Sequence, residues 1–364
     1  MKMNRVFGQV PWRGAVLLAV WALATAAVAP WSAKATFAGR NGPIAFIQTI
    51  ESLNGAVGNI FTVNPDGTNL RQLTFFSASG VGAGLESWSP DGKQIAFQLF
   101  DQNTGQGQLC LMNADGSNQH VVLSDPSFNF AQPSFSPGGR QILGARCGLT
   151  SNCELYRVNV DGSGFTELTQ FDSNPDQSDL LPEYSADGNA IVFTSTARGG
   201  VISSLYLMDA DGSNIRPLTP PHLEAWAPDG SPDGEKFVFS TNLSPGVLDE
   251  EIWSIHADGT HATRLTDNNS NYRGYFAGPH DIAPSWSPNG DAIVFEHDAP
   301  DYSSSAIYIM KVDGSGRQLV LGAVHRRMPS AALNTSGPRK SRVDRRRRLL
   351  EPDGILPRWG AAKN

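Results

Sequence analysis

WSPDGKQIAF, running from Trp88 to Phe97, sets an aromatic residue, a Ser-Pro-Asp-Gly turn and a short apolar run in a row. Pro presets the first turn position, Asp bonds its own backbone, and Gly accepts the positive φ that closes the turn. The run after it is too short for a helix and suits a strand. The same unit returns as FSPGGRQILG from Phe135, YSADGNAIVF from Tyr184, SPDGEKFVF from Ser231 and WSPNGDAIVF from Trp286. A truncated copy, NGPIAF, begins at Asn41.

Outward from each copy lies a second half: an apolar strand, an Asp-Gly turn and a short strand ending near Leu-Thr. It reads IFTVNPDGTNLRQLT from Ile60, LCLMNADGSNQHVVL from Leu109 and LYRVNVDGSGFTELT from Leu155. It continues as LYLMDADGSNIRPLT from Leu205, IWSIHADGTHATRLT from Ile252 and IYIMKVDGSGRQLV from Ile307. The turn residues Asp66, Asp115, Asp161, Asp211, Asp258 and Asp313 are 49, 46, 50, 47 and 55 positions apart. Each unit holds four runs rich in Val, Ile, Phe, Tyr and Trp. A period near 50 with four short strands predicts an all-β, six-bladed β-propeller of four-stranded antiparallel blades. With 364 residues and 40% hydrophobic content, the chain can bury a large core.

The units resemble the propeller repeats of the TolB family (WD40-like), over roughly residues 41–320. The resemblance is specific for fold and weak for function. That family carries an α/β domain before its propeller. Nothing stands between the leader described below and the first unit, so that domain is expected to be absent. The resemblance implies the strand order: the Trp-bearing strand innermost, then IAF, then IY, then the Leu-Thr strand. Unit one lacks its inner strand. LPRWG, Leu356 to Gly360, has the form of APSWS around Trp286, so Trp359 is expected to close the ring against blade one. Trp88, Trp226 and Trp286, with Phe135 and Tyr184, are assigned to packing between blades. Cys110 stands where other units have Phe61, Tyr156, Tyr206, Trp253 or Tyr308, so it belongs to the core.

The expected domains are a signal peptide over 1–35, the propeller over 38–324, a basic insertion over 325–354 and the closing strand over 355–361. Lys2, Arg5 and Arg13 precede an uncharged run from Gly14 to Ala29, and Ala33-Lys34-Ala35 offers a cleavage site. That run of 16 residues is shorter than a comfortable membrane span. The protein is therefore expected to be exported, periplasmic or extracellular, with no span after cleavage. In an oxidising compartment Cys147 and Cys153 can close a hairpin loop as a disulfide. Residues 38–324 carry 13 Lys plus Arg against 32 Asp plus Glu, a net of −19. Residues 325–364 carry 11 against 3, a net of +8. A run of like charge reads as a solvated segment.

The Asp-Gly turns fall on one face, short and uniform. The opposite face receives long, dissimilar loops, where binding on a rigid scaffold concentrates. The richest is DNNSNYRGYFAGPHDIAPSW, which groups Tyr272, Arg273, Tyr275, Phe276, His280 and Asp281. Tyr and Arg are favoured interface anchors. Glu86, Asp179, Glu183, His222, Glu224, His280 and Asp281 fall at inner-strand starts, around the channel mouth, as a ligand ring or a solvated acidic funnel. The Asp-Gly sites lack the carboxylate alternation of a calcium loop.

No G-x-S-x-G, H-E-x-x-H, phosphate-loop or dinucleotide pattern occurs, so no catalytic residue and no cofactor is assigned. The expected function is an exported, non-catalytic scaffold, a monomer, binding a protein, peptide or glycan and not nucleic acid. An envelope protein is the first expectation. The alternative is a metal-dependent, lyase-like carbohydrate enzyme using His222 and His280. His256 and His261 flank a turn on the other face and stand apart from that reading.

Overall fold

The computed structural model describes residues 39–52, 55–77, 80–148, 152–170, 178–196, 198, 203–220, 223–242, 250–268, 278–300, 304–325 and 358–361. Among them every regular element is a strand. The first group is β1 (Asn41–Ser52), β2 (Gly55–Val63) and β3 (Arg71–Gln72). Next come β4 (Val81–Trp88), β5 (Gln94–Asp101), β6 (Gln106–Asn113) and β7 (His120–Leu123), then β8 (Phe128–Phe135), β9 (Gln141–Gly148), β10 (Cys153–Asn159) and β11 (Thr166–Glu167). They are followed by β12 (Asp179–Tyr184), β13 (Ala190–Ser195), β14 (Ser204–Asp209) and β15 (Arg216–Pro217), and by β16 (Glu224–Gly230), β17 (Lys236–Asn242), β18 (Glu250–His256) and β19 (Thr263–Arg264). The last are β20 (His280–Trp286), β21 (Ala292–Asp298), β22 (Ser304–Lys311), β23 (Gln318–His325) and β24 (Arg358–Ala361).

The molecule is an all-β propeller of antiparallel sheets. Three sheets are consecutive four-stranded meanders, β12 to β15, β16 to β19 and β20 to β23. A fourth takes its strands from both ends of the chain, in the order β24-β1-β2-β3. The fifth has eight strands, being the meanders β4 to β7 and β8 to β11 joined by one parallel pairing, Gly107 opposite Asn129. In β24, Trp359 stands opposite Ile44 and Arg358 opposite Ala45. Trp88 stands opposite Ile95 and Trp286 opposite Ile293 in the same way.

The core lies between neighbouring sheets. Ile44, Phe46 and Val63 pack on Val294, Ile307 and Val320, joining the start of the chain to the last meander. Cys110 lies opposite Phe97 in a cluster with Trp88, and burial pushes its thiol up to about 12. The turn glycines mark how closely the sheets approach. A Cβ on Gly67 would stand 2.5 Å from the Val320 carbonyl oxygen, and one on Gly116 2.6 Å from that of Leu73. Gly162 meets Val122, Gly212 meets Leu168, Gly259 meets Leu218 and Gly314 meets Leu265 in the same way. Each of these glycines also has φ between 79° and 91°, so Gly is required twice over.

In each Asp-Gly turn the carboxylate accepts from the backbone N–H two residues on, as Asp66 does from Thr68 and Asp211 from Ser213. The hydroxyls of Thr68, Ser163, Ser213, Thr260 and Ser315 hold the carboxyls of Asp66, Asp161, Asp211, Asp258 and Asp313 below the usual carboxylate value. A carboxyl held below its unfolded value adds stability above that value and loses it as pH falls through the folded one. Thermal melts followed from pH 7 to pH 2 should therefore show little change from this set above about pH 5 and a decline below about pH 4. A profile still flat at pH 2 would rule out this contribution.

The Leu-Thr ending has a role that the repeat pattern did not disclose. Thr74, Thr169, Thr219 and Thr266 accept a hydrogen bond, each 2.9 Å, from the N–H of Ile60, Leu155, Leu205 and Ile252. These buried hydroxyls satisfy strand N–H groups that would otherwise be orphaned.

Candidate functional site

The inner strands β4, β8, β12, β16 and β20 share one irregularity. Each has a register shift against its neighbour, and at it a non-glycine residue with positive φ: Leu85, Gln132, Leu181, Ala227 and Ala283. Such bulges bend a strand and re-aim its side chains. Leu85, Ala131, Leu181, Trp226, Ala227, Ile282 and Ala283 meet there in one apolar cluster drawn from all five strands. Among the described residues these five strands thus meet in a packed apolar plug at this level.

Trp226 is a correction to the sequence reading. Asp229 pairs with Val238 and Gly230 with Phe237, so Gly230 occupies the place held by Trp88, Phe135, Tyr184 and Trp286. Trp226 lies four residues earlier, before the bulge, and packs into the central plug rather than between sheets. Beside the plug, Ser87, Ser134, Glu183, Asp229 and Ser285 are fully buried. The Ser134 hydroxyl donates to Glu183 Oε2 at 2.7 Å, and the backbone N–H of Trp286 to Asp229 Oδ2 at 2.7 Å.

The expected ligand ring divides between the interior and the loop-bearing end. Glu86 is fully buried beside the plug, and Glu224 is half-buried at the start of β16. Asp179 is fully buried and takes Arg198 at 2.6 Å. Asp281 is fully buried and accepts two bonds of 3.0 Å from Arg317, while His297 Nδ1 lies 2.7 Å from Asp281 Oδ1. The Arg317 guanidinium stacks over Tyr308 at 4.5 Å and Phe295 at 4.9 Å. His280 is buried with Nδ1 3.5 Å from Glu250. Tyr272, Arg273, Tyr275, Phe276 and His222 lie outside the described residues.

One polar network braces the stems of the loop before β20. The Asn268 N–H donates to Glu251 Oε1 at 2.9 Å, and its side-chain amide donates to the Pro279 carbonyl at 3.2 Å. Residues 268 and 279 are thereby tied across the loop base. Glu251 also accepts from Arg264 at 2.7 Å and from the Thr266 hydroxyl. Burial raises the Glu251 carboxyl above its ordinary value despite these donors. Sequence reasoning missed Arg198, Glu250, Glu251, Arg264, His297 and Arg317, because each is distant in sequence from its partner or lies on an outer strand. A lone arginine following a Gly-Ser-Gly turn, as in GSGRQ, carries no local signal of a buried carboxylate partner.

On the same end, Cys147 and Cys153 face each other across β9 and β10 in a disulfide, with Cα atoms 4.0 Å apart. Beside them Arg146 bridges Glu154 at 2.8 Å and Glu167 at 2.6 Å, and lies 4.4 Å over the Phe128 ring. Among the described residues, no three His, Cys, Asp or Glu side chains converge as metal ligands. No helix among them is long and apolar enough to cross a membrane. On the turn-bearing end, a groove of about 570 Å³ runs beside Trp286, lined by Gly39, Ser231, Pro232, Asp233 and Asn289.

A family model described as the TolB beta propeller domain matches residues 33–330. An uncharacterized protein of Agrobacterium fabrum is 27% identical over 216 residues, covering 57% of this chain and 67% of that one. The Tol-Pal system protein TolB of Anaeromyxobacter dehalogenans is 32% identical over 156 residues, which is 42% of this chain and 33% of that one. An uncharacterized peptidase of Bacillus subtilis, 28% identical over 162 residues, is covered over only 21% of its length. The chain thus matches a third or less of the length of these last two relatives. Among solved structures, TolB from Acinetobacter baumannii superposes with a TM-score of 0.60 at 23% identity, over 76% of this chain and 62% of that one. A putative TolB from Agrobacterium tumefaciens gives 0.53 at 20% identity, over 75% and 98%.

Proposed function

The chain belongs to the TolB beta propeller domain family, and from that premise we propose that it is an exported binding scaffold whose partner docks on the loop-bearing face. The scaffold is a ring of six blades in which β24 serves as the inner strand of the blade formed with β1, β2 and β3. The register of Trp359 on Ile44 supports that count, as do the turn-glycine contacts that run from Gly67 to Val320 around the chain. The leader over 1–35 and the Cys147–Cys153 bridge support an oxidising, exported location. The basic insertion expected over 325–354 lies outside the described residues apart from His325, the last residue of β23.

One observation carries the reading. On the loop-bearing end the buried carboxylates Asp179, Asp281 and Glu251 are engaged by Arg198, Arg317 and Arg264. Charge at that end thus holds loop bases in place, which is what a rigid presenter of irregular loops needs. The partner is an envelope protein, peptide or glycan, with a protein first because a Tol-Pal system protein is among the relatives. The residues proposed for contact are Tyr272, Arg273, Tyr275, Phe276, His222 and Glu224. Glu86, Asp179, His280 and Asp281, all buried, are proposed as their support.

The test replaces residues 269–277 with a Gly-Ser linker of equal length. The Asn268–Pro279 tie remains, so the melting temperature should shift by no more than about 2 °C. Capture of the partner from an envelope extract should fall at least tenfold. Capture at the wild-type level by a normally folded variant would remove this loop from the proposal.

A further inference from the structure

The turn HADGTH, from His256 to His261, departs from its repeat in two places at once. The position of His256 is Asn64, Asn113, Asn159, Asp209 or Lys311 in the other copies, and that of His261 is Asn69, Asn118, Gly164, Asn214 or Gly316. All of the latter have positive φ, from 54° to 68°, and His261 keeps 55°. That conformation suits Gly and Asn and is uncommon for His. Only this copy carries imidazole at both positions, and their ring centres lie 4.8 Å apart at an interplanar angle of 39°.

Proton counting fixes one tautomer. The Thr260 hydroxyl gives its single proton to Asp258 Oδ1 at 2.6 Å. Its contact with His261 Nδ1 at 2.7 Å must then be donated by the ring. This leaves Nε2 of His261 with its lone pair, the arrangement in which metal-ligating histidines are held by a donated bond on the other nitrogen.

We propose that His256 and His261 form a two-imidazole chelate for a first-row divalent cation, with Cu2+ bound most tightly. With ring centres 4.8 Å apart, one metal about 2 Å from a nitrogen of each ring is within reach of both side chains. Imidazole ligands follow the Irving–Williams order, in which Cu2+ leads. The chain supplies two ligands and water completes the shell. The site lies on the turn-bearing face, away from the loops assigned to partner binding.

The test adds Cu2+ alone to the chelator-stripped full chain, read by titration calorimetry and electron paramagnetic resonance. The wild type should take up one tight equivalent with coupling to two nitrogens. His256→Asn and His261→Asn install residues that other copies carry, so both should fold with unchanged metal-free melting temperatures. Each should weaken that equivalent at least tenfold and reduce the coupled nitrogens. No stoichiometric uptake by the wild type overturns the proposal, as does uptake that survives in either variant with an unchanged spectrum.

Discussion

Deleting residues 356–364 should lower the melting temperature by about 10 °C or more. β24 covers one edge of β1 through the pairing of Trp359 with Ile44 and Arg358 with Ala45. β1 is the longest strand of its sheet, and Ile44, Ala45 and Phe46 are fully buried. Without β24 its inner edge presents unpaired N–H and C=O groups, and its apolar residues lose cover. At about 1 kcal/mol net for each lost backbone bond and about 25 cal/mol per Å² of newly wetted apolar surface, the loss is roughly 4 kcal/mol or more. An open edge is also a template for pairing with another chain, so the truncated protein should self-associate. Differential scanning calorimetry with light scattering reads both effects. An unchanged midpoint and a monodisperse monomer would sink the ring-closure proposal.

Trp226→Ala should destabilise the protein by about 3–5 kcal/mol, the range for removing a large aromatic from a packed core. Trp226 is 6% exposed and packs with Leu85, Leu181 and Ile282 at the convergence of the inner strands. Those strands are pinned by bulges and positive-φ residues, so they cannot collapse to fill the void. The comparison is Trp226→Phe, which keeps most of the volume and should cost about 1–2 kcal/mol. Urea unfolding measures both. If Trp226→Ala cost less than about 1 kcal/mol, the residue would be a surface aromatic and the plug would be misassigned.

Much of the architecture was legible because the repeat states its physics locally. An Asp-Gly pair between apolar runs demands a hairpin, and the glycines at Gly67, Gly116, Gly162, Gly212, Gly259 and Gly314 do take positive φ. The Cys147–Cys153 bridge was legible because the two cysteines lie six positions apart, a spacing that lets them face each other across a hairpin. The place of Trp226 was not legible. The pattern registers WSPDG by its tryptophan, whereas the true register is set by the Ser-Pro-Asp-Gly turn, which puts Gly230 in that column. The fate of the expected ligand ring was hidden for a related reason. Whether Asp281 is a ligand or a brace depends on Arg317, 36 residues away, and no local pattern encodes that pairing.

The sequence by itself determined the strand content, the hairpins and the recurrence of one four-stranded unit, since these follow from turn chemistry and period-two burial over a few residues. Only the tertiary structure decided that five strands meet in an apolar plug, that buried carboxylates are held by arginines, and that the rings of His256 and His261 lie 4.8 Å apart. The reason is distance along the chain. Bulges bring together side chains from five strands spread between Leu85 and Ala283, and burial then makes each charged group seek a partner wherever the fold has placed one.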